Sequence, residues 1–309
     1  MKFFDLHCDT IEELRKRNED YVNNTTQFSV RDIDKFDKAV QTMAVFVPDS
    51  IRGEEAVRFV DDYYDYLNMQ AAKYPDKIGI VEDIIDIDTI VSQKKWAFMR
   101  SIESGACLNG NLDNIDHFAS LNFKMLGLVW NGANELGSGP NNDTGLTEFG
   151  KAAVKRMEEV GMIVDCSHLN DAGFEDLLNV SEKPFVASHS NVRACCNHPR
   201  NLKDEQFKEI VRRGGLCGIN IFSKFLNEKD ERNKEDIFRH IYHMLELGGE
   251  DVIAWGTDFD GVVTNAPEVN DPYRIGLFAE YLEEMGIKKE TIDKIYFDNA
   301  YRFFLKNVK

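Results

Sequence analysis

The sequence lacks a long hydrophobic run, and none of its apolar stretches approaches the length of a membrane-spanning helix. Its opening apolar stretch is interrupted by Asp5, His7 and Asp9, so it is too short for the core of a signal peptide. Basic charge is also scarce, with 37 lysines and arginines against 54 acidic residues and a formal net charge of -17. Because nucleic-acid binding depends on clustered lysine and arginine, no nucleic-acid partner is expected. We expect a cytoplasmic protein without a membrane partner.

Cysteine is scarce as well, with six residues in a chain of 309. Without a secretory signal, six thiols in a chain of this length indicate reduced, buried residues rather than a disulfide framework. The segment CCNHPR at 195–200 lacks the paired Cys-x-x-Cys spacing of a structural zinc site. We therefore predict that Cys195 and Cys196 are packing residues.

A glycine-rich phosphate turn is missing after the first predicted strand, which disfavours an open, doubly wound nucleotide-binding sheet. Low-complexity segments, internal repeats and Pro/Ser-rich linkers are missing too, so one domain is predicted over residues 1–309. With 43% hydrophobic residues, the chain can bury a substantial core. The glycine-rich segment 132–145 is predicted to be a long loop that carries binding residues or acts as a lid.

Eight short apolar runs are present, and their β-branched and aromatic content predicts strands. They cover 2–9, 40–47, 96–103, 123–130, 161–168, 184–190, 215–222 and 252–259. Stretches of helical periodicity lie between most of these runs, for example at 53–73, 147–160, 204–213, 234–248 and 272–285. The alternation predicts an α/β fold of the (β/α)8 TIM-like barrel type.

Side chains that can bind metals fall at the carboxyl ends of five of these runs. In the extended first run, alternation places His7 and Asp9 on one face. The other face, formed by Phe4, Leu6 and Cys8, is expected to join the core. Burying charge or imidazole is costly unless the groups are paired or bound to metal, and in a barrel the strand ends surround one pocket. The residues expected to converge there are His7, Asp9, Glu103, His168, His189 and Asp258.

Three histidines and three carboxylates suit divalent ions such as Zn2+, Mn2+ or Co2+. Two ions are favoured, since Glu103 can place one oxygen on each of two ions about 3.5 to 4 Å apart, with a bridging water that loses a proton near neutral pH. Any one of these histidines alone is better explained as a core residue, but the set of five strand ends favours metal catalysis. Of the others, His240 and His243 are predicted to be a surface or groove pair on a helix, and His117 a structural residue.

The motifs resemble those of a known family, the membrane (renal) dipeptidases, which are zinc peptidases among the metal-dependent amidohydrolase barrels. The resemblance rests on DLHCDT, SIESG, VDCSHLN, ASHSNVRACCNHPRNL and GTDFDG, and the closing FDNAYRFF is also similar. These motifs span nearly the whole chain in the family's order. The resemblance implies hydrolysis of the amide bond of small dipeptides through a hydroxide that bridges two zinc ions. It also implies a homodimer and tolerance of a C-terminal D-residue.

The resemblance further implies two zinc ions with separate ligand pairs and one shared carboxylate. These are His7 and Asp9 for the first ion, His168 and His189 for the second, and Glu103 between them. Other divalent metals are alternatives to zinc at such ligands.

Further residues match positions at which the family handles its substrate. Arg200 matches the arginine that receives the substrate's terminal carboxylate, which a guanidinium fork fits bidentately. Asp258 matches an aspartate that takes part in substrate binding and proton transfer; the alternative role, a turn cap, fits Asp260 better. Where well-known members have a substrate-contacting histidine, this chain has Trp130 or Asn131. Each can donate a hydrogen bond to substrate, although Trp130 cannot carry a proton and its alternative role is packing of the strand end.

Two other functions stay open at this point. The same barrel site could hydrolyse another small amide, lactone or ester, because a site fixes its chemistry more firmly than its substrate. The chain could also bind dipeptides without cleaving them, an alternative raised by Trp130. Retention of every proposed metal ligand speaks against that alternative.

Overall fold

Parallel strands form the centre of the fold in the computed structural model, which describes residues 1–229, 234–262 and 268–308. Within these residues the strands are β1 (Lys2–Cys8), β2 (Lys38–Phe46), β3 (Ile78–Ile80), β4 (Trp96–Glu103), β5 (Phe123–Gly127), β6 (Ile163–Asp165), β7 (Val186–Ala187), β8 (Leu216–Ile219) and β9 (Ile253–Trp255). Because β2 pairs with β4 as well as with β1, eight of the strands close into a barrel. The predicted TIM-like barrel is confirmed, and each predicted strand is present.

The strand β3 was not predicted from the sequence. It pairs with the first part of β4, from Trp96 to Phe98, on the side where β5 pairs with the later part, from Arg100 to Ile102. Three residues with a central glycine give almost no alternating or β-branched signal. The strand lies outside the closed ring of eight. It pairs with the beginning of β4, whereas the site lies at the end of β4.

Helices surround the barrel. Those in the described ranges are α1 (Thr10–Arg17), α2 (Glu54–Ala72), α3 (Asp86–Ser92), α4 (Asp113–Ser120), α5 (Glu148–Val160), α6 (Asp171–Val180), α7 (Asp204–Arg213), α8 (Ser223–Leu226), α9 (Lys234–Glu246), α10 (Pro272–Glu284), α11 (Lys289–Asp293) and α12 (Asn299–Asn307). The five predicted helical stretches are confirmed to within two residues at each end. Among the described residues, no helix combines the length and the apolar character needed to cross a membrane.

The segment 132–145 is a loop with a single bridge pairing between Ala133 and Ser138, as predicted. One side chain both holds this loop and starts the next helix. Asn170 caps α6 by accepting a hydrogen bond from the Gly173 N–H at 2.7 Å. Its Nδ2 donates to the carbonyl oxygens of Asn142 and Thr144, at 2.7 and 2.8 Å. The loop is thus fixed against the strand end that carries His168.

The barrel interior is filled by an apolar cluster to which all eight closed strands contribute. Its members from the strands are Phe4, Leu6, Val40, Ala97, Met99, Met125, Ile163, Val186, Leu216 and Ala254. The C-terminal helices cover the end of the barrel where the strands begin, since the ring of Phe304 stacks on Phe4 at 5.6 Å. The opposite end, where the strands finish, is left for the site.

The first strand departs from the regular alternation that was expected. Phe4 and Leu6 join the interior cluster, but Cys8 packs in the outer core together with Phe3, so the predicted single apolar face is wrong. The cause is a shift of register between Asp5 and Cys8 against β2. Such an irregularity re-aims the side chains that follow it, and here it precedes Asp9.

Candidate metal centre

The carboxyl ends of the barrel strands surround a cavity of about 900 Å³. Asp9, Glu103 and His168 line its floor, together with residues of the loops above them. His7 and His189 lie deeper and are almost inaccessible, with 2% and 1% of their surface exposed. The five predicted metal ligands are therefore brought to one place, from the ends of β1 and β4 and from the segments after β6 and β7.

Glu103 lies between two pairs of these residues. Its Oε2 is 3.5 Å from His7 Nε2, which in turn is 3.5 Å from Asp9 Oδ2. Its Oε1 is 2.8 Å from His168 Nε2 and 3.6 Å from His189 Nε2. In each group of three, one ligand atom per residue lies within 4.8 Å of the others. A shared carboxylate between two ligand pairs is the arrangement that the sequence predicted.

Asp258 closes a further group with His7 and His189. Its Oδ1 is 3.9 Å from His7 Nε2. Its Oδ2 accepts a hydrogen bond from Asn220 Nδ2 at 2.9 Å, so the two carboxylate oxygens have different surroundings. Oδ2 is held by Asn220, which directly follows β8, and Oδ1 faces the centre.

Several donor atoms of this centre lack partners. His7 Nε2 and Asp9 Oδ1 are buried without a hydrogen-bond partner anywhere in the described chain. The Nε2 atoms of His168 and His189 face each other at 3.0 Å. Each unsatisfied buried polar group costs about 1–3 kcal/mol, which a cation among these atoms would remove. Imidazole nitrogens and carboxylate oxygens are also the usual ligands of zinc, so the residues fit divalent metal ions.

The two pairs of residues on either side of Glu103 also differ in the pKa values of their histidines. Burial opposes protonation of His7, but the adjacent Asp9 and Glu103 carboxylates raise its pKa well above the ordinary value. Burial lowers the pKa of His189 well below the ordinary value, and the nearby His7 and Arg200 act in the same direction. Protons and metal ions therefore compete for the first pair of ligands, while His189 is held neutral for coordination.

Three residues that follow strand ends have left-handed backbone conformations although none is glycine. They are Ser104 (φ 81°), His168 (φ 70°) and Asp258 (φ 63°). Such conformations cost about 1–3 kcal/mol each and cluster at functional sites. Here they turn the chain at the points where Glu103, His168 and Asp258 face the cavity.

Gly261 is required by the close packing of this centre. A β-carbon at Gly261 would lie 2.0 Å from Asp9 Oδ2 and 2.7 Å from Asp258 Oδ1. The neighbouring Asp260 accepts hydrogen bonds from the Thr10 hydroxyl, at 2.6 Å, and from the Gln27 N–H, at 2.7 Å. This fits the structural role predicted for Asp260, whereas the need for glycine at 261 was missed.

Arg200 lies on the wall of the same cavity and is buried. Its Nε and Nη2 have no hydrogen-bond partner within the described residues. Its guanidinium carbon lies 5.3 Å from the ring centre of Phe225, which supports one face of the group. A buried guanidinium with unused donors at a cavity wall fits an anionic group arriving from solvent.

The family model for membrane dipeptidase (peptidase family M19) matches residues 1–308. The chain belongs to this family. It is a metal-dependent dipeptidase, in agreement with the resemblance seen in its motifs.

Individual proteins are similar to this chain in sequence or in fold. An uncharacterised protein from the pqqA 5' region of Klebsiella pneumoniae is 33% identical over 235 residues, which cover 72% of this chain and 86% of that protein. The structure of the dipeptidase AC, a metallo peptidase, superposes with a TM-score of 0.92 at 24% identity and covers 100% of this chain and 99% of its own. A metallo peptidase from Rhodobacter sphaeroides, liganded with a phosphinate mimic of the dipeptide L-Ala-D-Ala, gives 0.91 at 23% identity, with 99% of each chain covered. These two structures share the fold.

Trp130 and Asn131, at the position of the family histidine, have different surroundings. The Trp130 ring lines the cavity, packs edge-on against Phe46 at 4.8 Å, and lies 6.4 Å from the His168 ring. Asn131 Oδ1 lies 3.1 Å from His168 Nδ1 and accepts its hydrogen. Asn131 thus orients the His168 ring, a role that the sequence analysis did not foresee; its contact with substrate stays a prediction.

Asn220 and Asp165 were also missed. Each is a buried polar residue within or directly after a predicted apolar strand, and that exception to the apolar pattern was the available signal. Asn220 holds Asp258, and Asp165 accepts hydrogen bonds from the segment that carries His189. Both act on site residues rather than lining the cavity.

The remaining histidines lie outside the centre. His240 is fully buried, so the predicted surface position is wrong for it. It shares the buried face of α9 with Ile237 and Met244, which lie three residues before it and four residues after it. Burial lowers the pKa of His240 to about 4. His243 is partly exposed and pairs with Asp204 at 3.0 Å.

Proposed function

We propose that this dipeptidase is a binuclear zinc enzyme that hydrolyses small dipeptides, including those with a C-terminal D-residue. The observation that supports two ions is the position of Glu103, whose two oxygens face separate pairs of donor atoms. His7 and Asp9 would hold one ion, and His168 and His189 the other. When bound, the ions would supply Lewis-acid polarisation of the scissile carbonyl and a water that is acidic near neutral pH.

Arg200 is proposed to bind the terminal carboxylate of the dipeptide. Its Nε and Nη2 can donate in parallel to two carboxylate oxygens, and Phe225 keeps the guanidinium plane in place. The buried guanidinium at this wall would favour a substrate that ends one residue beyond the scissile bond. A longer peptide has an uncharged amide at that point.

Asp258 is proposed to accept a proton at Oδ1 and to pass it to the leaving amine. Asn220 occupies Oδ2, so the oxygen that faces the centre is the one available for transfer. Trp130 is proposed to border the substrate beside His168 without carrying a proton.

Tolerance of a D-residue is proposed from one solved structure. The Rhodobacter sphaeroides relative is liganded with a mimic of L-Ala-D-Ala, and its fold covers this chain almost completely. A cytoplasmic location and a homodimer stay predictions from the sequence.

The test is metal content per chain combined with hydrolysis of L-Ala-L-Ala and L-Ala-D-Ala, in the native protein and in Glu103→Gln. We expect two zinc ions, cleavage of both dipeptides, and loss of metal and of turnover in Glu103→Gln. Glu13→Gln is the control, since Glu13 lines the same cavity outside the ligand groups and pairs with Lys16. One ion per chain would overturn the binuclear proposal, and cleavage of the L,L-dipeptide alone would overturn the tolerance of D-residues.

A further inference from the structure

We propose that Asp165 and Ser188 are positioning residues that fix the tautomer of His189, so that its Nε2 lone pair faces the metal site. The inference rests on the proposed role of His189 as a ligand. It adds the two residues that leave the His189 Nε2 atom free of hydrogen and able to bind metal. Metal-bound histidines commonly donate their second ring N–H to a protein acceptor, and this acceptor is not evident from the motif around His189.

Asp165 acts as an acceptor with both oxygens. Its Oδ1 accepts from the backbone N–H groups of Ser167 and Ser188, each at 2.9 Å. Its Oδ2 lies 2.5 Å from Ser188 Oγ. A carboxylate oxygen accepts in a hydrogen bond, so the hydrogen of the Ser188 hydroxyl points to Asp165 Oδ2.

The direction of that hydrogen bond decides the tautomer of the histidine. Ser188 Oγ lies 2.8 Å from His189 Nδ1. Because the hydroxyl hydrogen is committed to Asp165, Oγ can only accept in this contact, and Nδ1 must carry the hydrogen. Nε2 is then left with its lone pair, 3.6 Å from Glu103 Oε1.

The second histidine of this ligand pair reaches the same state by a different contact. The amide oxygen of Asn131, 3.1 Å from His168 Nδ1, can only accept. With its hydrogen on Nδ1, as metal binding at Nε2 requires, His168 presents its Nε2 lone pair to His189 Nε2 at 3.0 Å and to Glu103 Oε1 at 2.8 Å. Two lone pairs at that distance repel, and a cation beside them removes the repulsion.

The contacts that run from Asp165 through Ser188 Oγ to His189 form a relay, and the backbone around this relay is closely packed. A β-carbon at Gly218 would lie 1.9 Å from the Ser188 carbonyl oxygen, and one at Gly256 would lie 1.8 Å from it. Glycine at both positions therefore lets the segment that carries Ser188 pack closely. Ser167 Oγ accepts from the His189 N–H at 3.1 Å. The geometry from Asp165 to His189 is thus fixed by neighbouring strands.

The discriminating variant is Asp165→Asn, which keeps the shape of the side chain. Its Oδ1 can still accept from the two backbone N–H groups, which places the amide nitrogen beside Ser188 Oγ. That nitrogen donates, so the hydroxyl hydrogen turns toward His189 Nδ1 and the ring hydrogen moves to Nε2. We expect Zn2+ titration of the chelator-treated variant to show one of the two sites weakened about 10- to 100-fold. In histidine labelled with 15N, the His189 signal should change from the Nδ1–H to the Nε2–H tautomer.

Ser188→Ala is a second variant, which breaks the relay without removing the Asp165 charge. It should weaken the same site and shift the His189 tautomer in part toward Nε2–H. Glu158→Gln is the matched control: Glu158 is also buried, and the hydrogen bonds that it accepts from the Ser181 hydroxyl and the Lys183 N–H involve no histidine. The amide oxygen of the control can keep accepting from the Lys183 N–H, and both zinc affinities should be native.

The inference is overturned if Asp165→Asn and Ser188→Ala both retain native zinc affinities at both sites, or if His189 stays in the Nδ1–H tautomer in Asp165→Asn. It is also overturned if Glu158→Gln weakens zinc binding to the same extent as Asp165→Asn. Failure of the proposed function looks different, since native protein would then bind fewer than two ions or leave dipeptides intact. The tautomer of His189 in metal-free native protein can be measured in either case.

Discussion

The two halves of the metal centre are built in different ways. His7 and Asp9 come from one strand and lie two residues apart, and a local register shift precedes Asp9. His168 and His189 follow different strands, and each has its Nδ1 held by a side chain from elsewhere in the fold. The two residues of the first pair are neighbours in the sequence, whereas those of the second pair come together only when the barrel folds.

The two halves also differ in the pKa values of their histidines. His7 lies between Asp9 and Glu103, which raise its pKa despite burial, so in the absence of metal a proton takes the place of the cation. His189 has a pKa well below the ordinary value because it is buried, and Asp165 reaches it only through a hydroxyl group. The second half is therefore ready to bind a cation without first losing a proton.

The largest expected effect is the loss of one ligand from either half. In His7→Asn and in His168→Asn, kcat/KM for dipeptides should fall by about 100-fold or more, as when a group that stabilises transition-state charge is removed. The two variants should differ in stability without metal. His7→Asn leaves Asp9 and Glu103 without their positive neighbour, so urea unfolding in chelator should show a greater loss than in His168→Asn. Equal losses would remove the distinction between the halves.

The next largest effect concerns Arg200, which lies on the loop after β7 and thus beside the second half. Arg200→Ala should raise KM for dipeptides about 10- to 100-fold, since hydrogen bonds to charged groups contribute about 1.5–3 kcal/mol. Metal content should stay native. Steady-state kinetics with metal analysis measures both, and Lys224→Ala, at an exposed position lining the same cavity, is the control. An unchanged KM in Arg200→Ala would contradict the role.

Gly261→Ala tests the first half alone, because the added methyl group would intrude on Asp9 and Asp258. Overpacking of this kind costs about 1–3 kcal/mol, so the zinc affinity of one site should fall about 5- to 100-fold. Zinc titration measures the change. Gly127→Ala is the matched control, since a β-carbon there meets its nearest neighbour at an ordinary 3.6 Å. Equal affinities in the two variants would show that Gly261 is not needed for metal binding.

The last effect is on stability rather than on activity and concerns His240, which supports the loop of the second half by accepting from the Val192 N–H at 3.3 Å. Its pKa is about 4 in the folded protein, below the value near 6.5 of an unfolded chain. The unfolded state therefore binds more protons between these values, and stability should fall as the pH falls from about 6.5 to 4. His240→Gln should reduce this loss by up to about 3 kcal/mol, measured by urea unfolding at several pH values. An identical pH dependence in both proteins would contradict the assignment.

The first half of the centre could be predicted from sequence, and the second could be predicted only in part. His-x-Asp at the end of an apolar run is visible without any tertiary information, and so are the eight strands, because alternation and β-branched residues are local signals. The roles of Asp165 and Asn131 depend on which atoms meet across strands and loops. A sequence pattern does not contain that information.

The errors have similar causes. The register shift in β1 adds a residue to one side of a strand pair, and nothing in KFFDLHC distinguishes it from regular alternation. His240 was predicted to form a surface or groove pair with His243 because the two lie three residues apart on a helix, yet its helical spacing from Ile237 places it on the buried face. The need for glycine at 261 was missed because the lack of space beside Asp9 exists only in the folded chain.

The packing of Phe304 on Phe4, together with the pairing of β1 with β9, has a consequence for the order of folding. The first strand reaches its final environment only after residues about 250 and 300 positions later have arrived. Contacts at such sequence separation slow folding, because a long loop must be closed before any of its contacts form. While the chain is being synthesised, β1 has its partner β2 but an open second edge. The barrel, and the centre at its upper rim, can therefore be completed only when the last helix has docked.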